Sequence, residues 1–268
     1  MSDISKMIWS EVCNLRFYDF ATKKYLGTAD ELQEMNISNE QEDTDVLGKN
    51  GIKINSLSKS KGMTLSGTSG VWHEFLLALM SGTDVEVGNA EYEIEEIVTV
   101  TSNTAKTKYK GVGVAGKEIK YAYPVNADGL LISGVEPLTQ GDVASTGVFS
   151  YTPATGALAF HTDVEDGTMY KVIYNCIAKD AKKITNDAKK FSKVVSVVGD
   201  SIVLDNCSNE EFLAQLKMGK ARISGTYEIA LNGEPAVQSF ELTSLPTCGE
   251  TKLWDLVIAD EKDLTAVV

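Results

Sequence analysis

The residues that could do chemistry are few, and their spacing decides against most of it. Gly111-Val112-Gly113-Val114-Ala115-Gly116 spells G-x-G-x-x-G, in which glycines let a backbone approach a pyrophosphate. A dinucleotide site needs that run to leave a strand and open a helix within a βαβ unit. No helical periodicity follows Gly116, so the run reads as a glycine-rich loop. Glu40, Glu42, Asp43 and Asp45 have the composition of a calcium loop but not its D-x-[DN]-x-[DN]-G-x₅-E spacing. They read as a flexible, solvated loop. No phosphate loop and no G-x-S-x-G elbow occur, and nothing singles out two of the 38 acids as a hydrolytic pair.

The two histidines and four cysteines add little. His73 sits in an apolar helical stretch and His161 at a strand end, both structural positions. Cys13, Cys176, Cys207 and Cys248 are scattered, with no C-x-x-C pair and no histidine at zinc-ligand spacing. In a reducing compartment they read as small buried hydrophobes. A Cys207–Cys248 disulfide would need the fold to bring the two together and an oxidising compartment to form it. The expectation is a chain with no catalytic residue, no cofactor and no metal.

Whatever these side chains do must be positioned by an ordinary acidic chain. It has 268 residues, 43% hydrophobic content and a net charge of −13. Such a surface repels phosphate backbones and anionic lipid, which removes the usual driving force for nucleic-acid or membrane-surface binding. No apolar stretch approaches the ~20 residues of a membrane span, and Met1–Lys6 lacks the pattern of a secretory signal. The chain is expected to stay in the cytoplasm that made it.

Most segments alternate in polarity, with turn residues at short intervals, which predicts strands. They are Val12–Phe20, Leu32–Ser38, the region around Tyr92–Val100, Lys117–Tyr123, Gly147–Thr152, Ala157–Thr162 and Tyr170–Ala178. Later come Val194–Val198 and Ile202–Leu204, read as a hairpin about Gly199-Asp200, then Ile223–Leu231, Val237–Leu245 and Leu253–Ile258. Tyr170–Ala178 is apolar on both faces, as a strand inside a sandwich or between subunits would be. Asn50-Gly51 is the dipeptide of a tight turn with two positive φ angles. One helix is predicted over about 70–81: Val71, Trp72, Phe75, Leu76, Leu79 and Met80 form one stripe, with Ser69 as cap and Gly82 just past the end. A second, short helix is predicted over Asn209–Met218, and 102–146 reads as a loop-rich elaboration. With no repeat and no composition break, 1–268 reads as a single, mainly β domain. It is a β-sandwich or barrel with one covering α-helix and a long loop over about 39–61.

Within that frame, Asp45–Gly51, Ser58–Thr68 and the Val71–Met80 helix ending in Ser81-Gly82 resemble the tail tube (major tail) proteins of long-tailed bacteriophages. Gly147–Gly167, the Tyr170–Ala178 strand, Val197–Cys207 and Leu253–Ile258 are similar as well, so the resemblance covers most of the chain. It implies a virion structural protein, assembled in the bacterial cytoplasm, whose copies form rings, commonly of six, that stack into a tube through which DNA passes without specific binding. The implied partners are further copies, with tape-measure, baseplate and terminator proteins, and a sheath if the tail contracts. No membrane is involved.

The stacking element would be the loop, with Glu40, Glu42, Asp43, Asp45, Val46, Leu47, Lys49 and Lys53 as inter-subunit contacts. Lys182, Lys183, Lys189 and Lys190 belong to a basic island that could answer the acidic residues of a neighbour. A different class of function stays open: a β-sandwich binding module, such as a capsid decoration or carbohydrate-binding protein. The crowded Tyr109, Tyr121 and Tyr123 would serve it.

Overall fold

Alternating polarity becomes strand nearly everywhere in the computed structural model, which describes residues 6–229 and 237–264. The first elements are β1 (Met7–Trp9), β2 (Asn14–Asp19), β3 (Tyr25–Ala29), β4 (Leu32–Leu47), β5 (Lys53–Ser69) and the helix α1 (Glu74–Met80). Then follow β6 (Glu86–Thr99), β7 (Thr104–Lys106), β8 (Ile119–Val125), β9 (Leu138–Gly141), β10 (Val148–Thr152), β11 (Ala157–Ala159) and β12 (Met169–Lys183). The chain ends with β13 (Val194–Asp205), β14 (Glu211–Ile223), β15 (Gln238–Ser244) and β16 (Asp255–Ala259). The architecture is mainly β, as expected.

Where the sequence shows no boundary, topology makes one. The chain divides into two compact units, Met1–Val85 with Ile184–Val268, and the inserted Glu86–Lys183. Each has its own sheet and its own apolar core.

In the first unit the strands run β3-β2-β13-β14-β15-β5-β4, with β1 on the far end of β13 and β16 on β14. The edge strands β3 and β4 are separated by only Asp30 and Glu31, which draws the two ends of the sheet together. Phe17, Leu65, Val197, Met218, Ile223 and Leu242 point into the core. Helix α1 adds Leu76, Leu79 and Met80 to it.

That helix is shorter than its apolar stripe. Ser69 closes β5 instead of capping, and its Oγ accepts the Val71 N–H at 3.2 Å. The buried Gln238 holds the helix entry, its Oε1 accepting the His73 N–H at 2.8 Å. Gly82 ends the helix as the pattern predicts. Its φ is +69°, the Thr83 N–H donates to Ala78 O at 2.9 Å and the Gly82 N–H to Leu79 O at 3.2 Å. Those two bonds form a Schellman motif.

Two expectations fail in β13 and β14. Gly199-Asp200 is not a turn but the middle of β13. A Cβ on Gly199 would lie 2.8 Å from Leu15 Cδ2, so the glycine makes room for a core side chain. The helix expected over Asn209–Met218 is strand β14, with Phe212, Ala214, Leu216 and Met218 buried at period two. The outward Leu213 fills in an apparently helical stripe. A bulge opposite Val195–Val197 then shifts the buried phase to Ala221 and Ile223, which hides the alternation. Of the expected Ile223–Leu231 strand, Ile223 ends β14 and Leu231 lies outside the described residues.

The inserted unit runs β6-β12-β8-β9-β10-β11-β7. Its first and last strands are joined by a tight turn in which Thr101 and Thr104 exchange backbone hydrogen bonds of 2.8 and 3.1 Å, so the sheet closes upon itself at that end. Phe149, Phe160 and Tyr170 stack inside, with ring centroids 6.1 and 5.2 Å apart. β12 buries Tyr170, Val172, Tyr174 and Cys176 on one face, as its pattern predicts. Segment 102–146 is more than loop. It supplies β7, β8 and β9, and the fully buried Ile119 and Ala122. The G-x-G-x-x-G run precedes a strand and not a helix. Gly111 lies against Tyr151, whose Oη accepts its N–H at 2.8 Å.

Candidate assembly surface

The segment expected as a flexible loop is a paired ribbon. β4 and β5 run antiparallel from Leu32↔Ser69 to Leu47↔Lys53. Only the root of β5, Thr64–Ser69, has a second neighbour, β15. Beyond the buried Met63 every residue of β5 down to Lys53 is exposed, and from Asn36 to Leu47 only Thr44 is partly covered. This is a two-stranded arm about 30 Å long, taking ~3.3 Å per residue over some nine residues.

The acids belong to this pairing. β4 alone would place Glu40, Glu42, Asp43 and Asp45 close together, and β5 answers the last three with serines and one lysine. Ser60 Oγ donates to Glu42 Oε2 at 3.1 Å, Ser56 Oγ to Asp45 Oδ1 at 3.1 Å, and Lys53 Nζ stands 2.6 Å from the same Asp45 oxygen. Gln41 Nε2 donates to Asp43 Oδ1 at 3.0 Å and to Ser58 Oγ at 2.8 Å. Hydrogen bonds from Ser58 and Gln41 hold the Asp43 carboxyl below its ordinary value. The alternating Ser56, Ser58 and Ser60 are the sequence signal of a strand wetted on both faces.

At the far end the chain reverses through Gly48–Ile52. Asn50 and Gly51 both have positive φ, 69° and 75°, as their dipeptide predicts. Around this tip the polar ladder gives way to Leu47, Ile52, Ile54 and Leu57, exposed by 61, 66, 70 and 55%. An isolated hairpin is marginal in water, and an apolar cluster left in solvent marks an interaction surface. Of the residues expected to make contacts, Val46, Leu47, Lys49 and Lys53 lie here; Ile52, Ile54 and Leu57 join them only through the strand register, which a loop reading hides.

The basic residues divide. Lys182 and Lys183 end β12 in the inserted unit, paired with Val87 and Glu86. Lys189 and Lys190 lie in the irregular stretch before β13, where Asp187 organises the turn through its Oδ1 and carbonyl. Lys193 Nζ pairs with Asp84 Oδ1 at 2.6 Å.

Other polar candidates are occupied structurally. His73 Nε2 lies 3.2 Å from Ser69 Oγ, and His161 Nδ1 lies 2.9 Å from Asp163 Oδ1. All four cysteines are free. Cys13 and Cys176 are buried as expected, whereas Cys207 and Cys248 are exposed and not bridged. Among the described residues no cluster of three His, Cys, Asp or Glu side chains is placed to hold a metal ion. No helix among them is long and apolar enough to cross a membrane.

Two grooves remain. One, of about 370 Å³ in the inserted unit, runs along Tyr121 and Tyr123, whose rings are 5.8 Å apart. The other, of about 440 Å³ in the first unit, is lined by Trp9, Glu11, Val12, Met35 and Ile37. It lies at the root of the arm, since Met35 and Ile37 belong to β4.

No curated protein matches the chain. A family model does, over residues 7–249, which takes in the arm, the helix, the inserted unit and the sheet through β15. The chain belongs to the YomU/Tube protein family, a phage tube-like family of structural proteins.

Proposed function

We propose that the chain is the repeating subunit of a phage tail tube, whose copies close into rings and stack into a channel for DNA. The observation that carries this reading is the arm. A 16-residue strand and a 17-residue strand are extended together with almost nothing buried beyond Met63, and they end in an apolar tip. A lone subunit gains little from such an element, while a stack gains its adhesive.

The outer edge of β4 has no strand partner among the described residues. Open edges invite addition of a neighbour's strand, and a contact that closes by rotation gives a ring. The net charge of −13 suits a wall that DNA must slide past, because acids facing a channel repel phosphate. Geometry is then the activity, and no catalytic step is required. Tape-measure, baseplate and terminator proteins would meet the ends of such a tube in the virion, and a sheath its outside if the tail contracts. The residues proposed to carry stacking are Glu40, Glu42, Asp43, Asp45, Val46, Leu47, Lys49 and Lys53. Lys182, Lys183, Lys189 and Lys190 are proposed as contacts on a neighbour.

The test replaces Glu40–Gly62 by the two-residue turn Asn-Gly, closing the ribbon at the Asn39↔Met63 pair. Expected is a folded, soluble chain with no tubes by negative-stain microscopy under conditions where the full chain forms them. Unchanged tubes would remove the arm from the stacking contact.

The Tyr121–Tyr123 groove supports a second role, ligand binding by the inserted unit, which is compatible with a tube body made by the first.

A further inference from the structure

The arm tip and the groove at the arm root complement each other, and we infer that the tip of one copy seats in the Trp9–Val12–Met35–Ile37 groove of a second copy of this chain. The inference rests on the tube reading and adds the receiving surface to it.

Three observations meet. The first is chemical likeness. The tip offers Leu47, Ile52, Ile54 and Leu57, all more than half exposed. The groove offers Trp9, Val12 and Ile37, exposed by 48, 36 and 40%, with the partly buried Met35 beside them. Burying either set against the other removes apolar surface that each now presents to water. At about 440 Å³ the groove is roughly three times the ~150 Å³ cavity that accepts a benzene, enough for two or three aliphatic side chains.

The second is charge. Glu11 borders the groove, and Lys49 crowns the turn of the arm. Seating the turn over the groove lets an ammonium meet a carboxylate at its rim, where such pairs fix register more than affinity.

The third is reach. Ile37 lines the groove and Leu47 begins the tip, ten residues along one paired strand. At ~3.3 Å per residue the tip stands about 33 Å from its own groove, and a paired ribbon cannot fold back on itself. An arm tip seated in this groove must therefore come from another copy. Because root and tip are different surfaces, the contact is head-to-tail, and repeated along the arm without closing by rotation it builds a column. The arm also sets a ceiling: successive layers are spaced by no more than its length plus a side chain, about 40 Å.

The experiment uses the full-length chain assembled into tubes. A photo-crosslinking amino acid replaces Ile52, and mass spectrometry locates the adducts. Alongside it, Val12→Glu and Lys49→Glu are scored for assembly, and Lys49→Glu is combined with Glu11→Lys. Circular dichroism and gel filtration of each variant confirm a folded chain. Adducts falling between residues 7 and 13 or 35 and 37 support the seating. So do a loss of tube yield of about tenfold in each single variant and recovery to within about threefold in the charge-swapped pair. Tubes formed normally by Val12→Glu, with adducts only elsewhere, would overturn this groove while leaving the tube reading intact. A wild-type chain that stays single under every assembly condition would defeat the tube reading and the seating together.

Discussion

Lys53 Nζ lies 2.6 Å from Asp45 Oδ1 across the outermost rungs of the arm. Both side chains are about half exposed, 57 and 47%. Water screens such a pair, and its net contribution is under about 1 kcal/mol. The rest of the arm is equally wet, so it contributes almost nothing to the stability of the subunit that carries it. Lys53→Gln is therefore expected to shift the free energy of unfolding by less than about 1 kcal/mol in urea denaturation. A larger loss would mean that the arm is braced by its own subunit.

The ladder has a pH signature. Hydrogen bonds from Ser58 and Gln41 depress the Asp43 pKa below its ordinary 3.8. A carboxyl depressed in the folded state contributes its share of order in full above that ordinary value, and loses it as pH falls through the lowered one. The Asp43 carboxyl signal in a ¹³C NMR titration should thus move at lower pH than that of an unperturbed aspartate. Ser58→Ala should bring it back up towards 3.8, since Ser58 is the largest cause of the depression. No movement on that substitution would detach Ser58 from the ladder.

Gly82 is held twice over. Its φ of +69° suits glycine, and a Cβ there would lie 2.1 Å from the Phe191 carbonyl oxygen. Backbone cannot rotate away as a side chain can. Gly82→Ala should cost at least about 2 kcal/mol and lower the melting temperature accordingly. Gly27→Ala should cost about 1–3 kcal/mol, because the new methyl meets the Phe75 ring at 2.6 Å, the face by which α1 rests on β3. Calorimetry of the two variants checks both values and their order.

Cysteine reactivity should split evenly. Cys207 and Cys248 are exposed, while Cys13 and Cys176 are buried and burial pushes the Cys13 thiol pKa up. A thiol reagent at pH 8 is expected to modify two cysteines rapidly in the native chain and four after denaturation. Three or four fast modifications would place the opening of one core on the timescale of labelling.

Much of this fold was legible in local patterns. The Asn50-Gly51 reversal, the buried face of Tyr170–Cys176 and the Gly82 stop each depend on a few neighbouring residues, and local physics determines them. What was lost depends on residues far apart in sequence. β14 reads as a helix because its bulge is set by pairing with β13, and Gly199 reads as a turn because its reason, Leu15, is 184 positions away. The arm reads as a loop because its acids look solvated until the serines that pair with them are aligned opposite. The two compact units were invisible because an insertion leaves no mark in composition when both parts are β. For the candidate site, the eight stacking residues proposed from sequence fall on β4, the turn and the start of β5, which together make the arm. The apolar half of that surface, Ile52, Ile54 and Leu57, needed the register, and the groove needed Trp9 and Val12 brought beside Met35 and Ile37.

The pairing of Glu86 with Lys183 has a consequence of another kind. The inserted unit leaves and rejoins the chain through two adjacent strands, so Val85 and Ile184 are tethered side by side whatever lies between them. Such a junction works as a socket. Cargo of any size whose two ends lie close together can be plugged in there without altering the sheet that hosts it. A tube built on this plan would repeat that cargo once per subunit along its whole length, turning a conduit into a scaffold for dense, regularly spaced display.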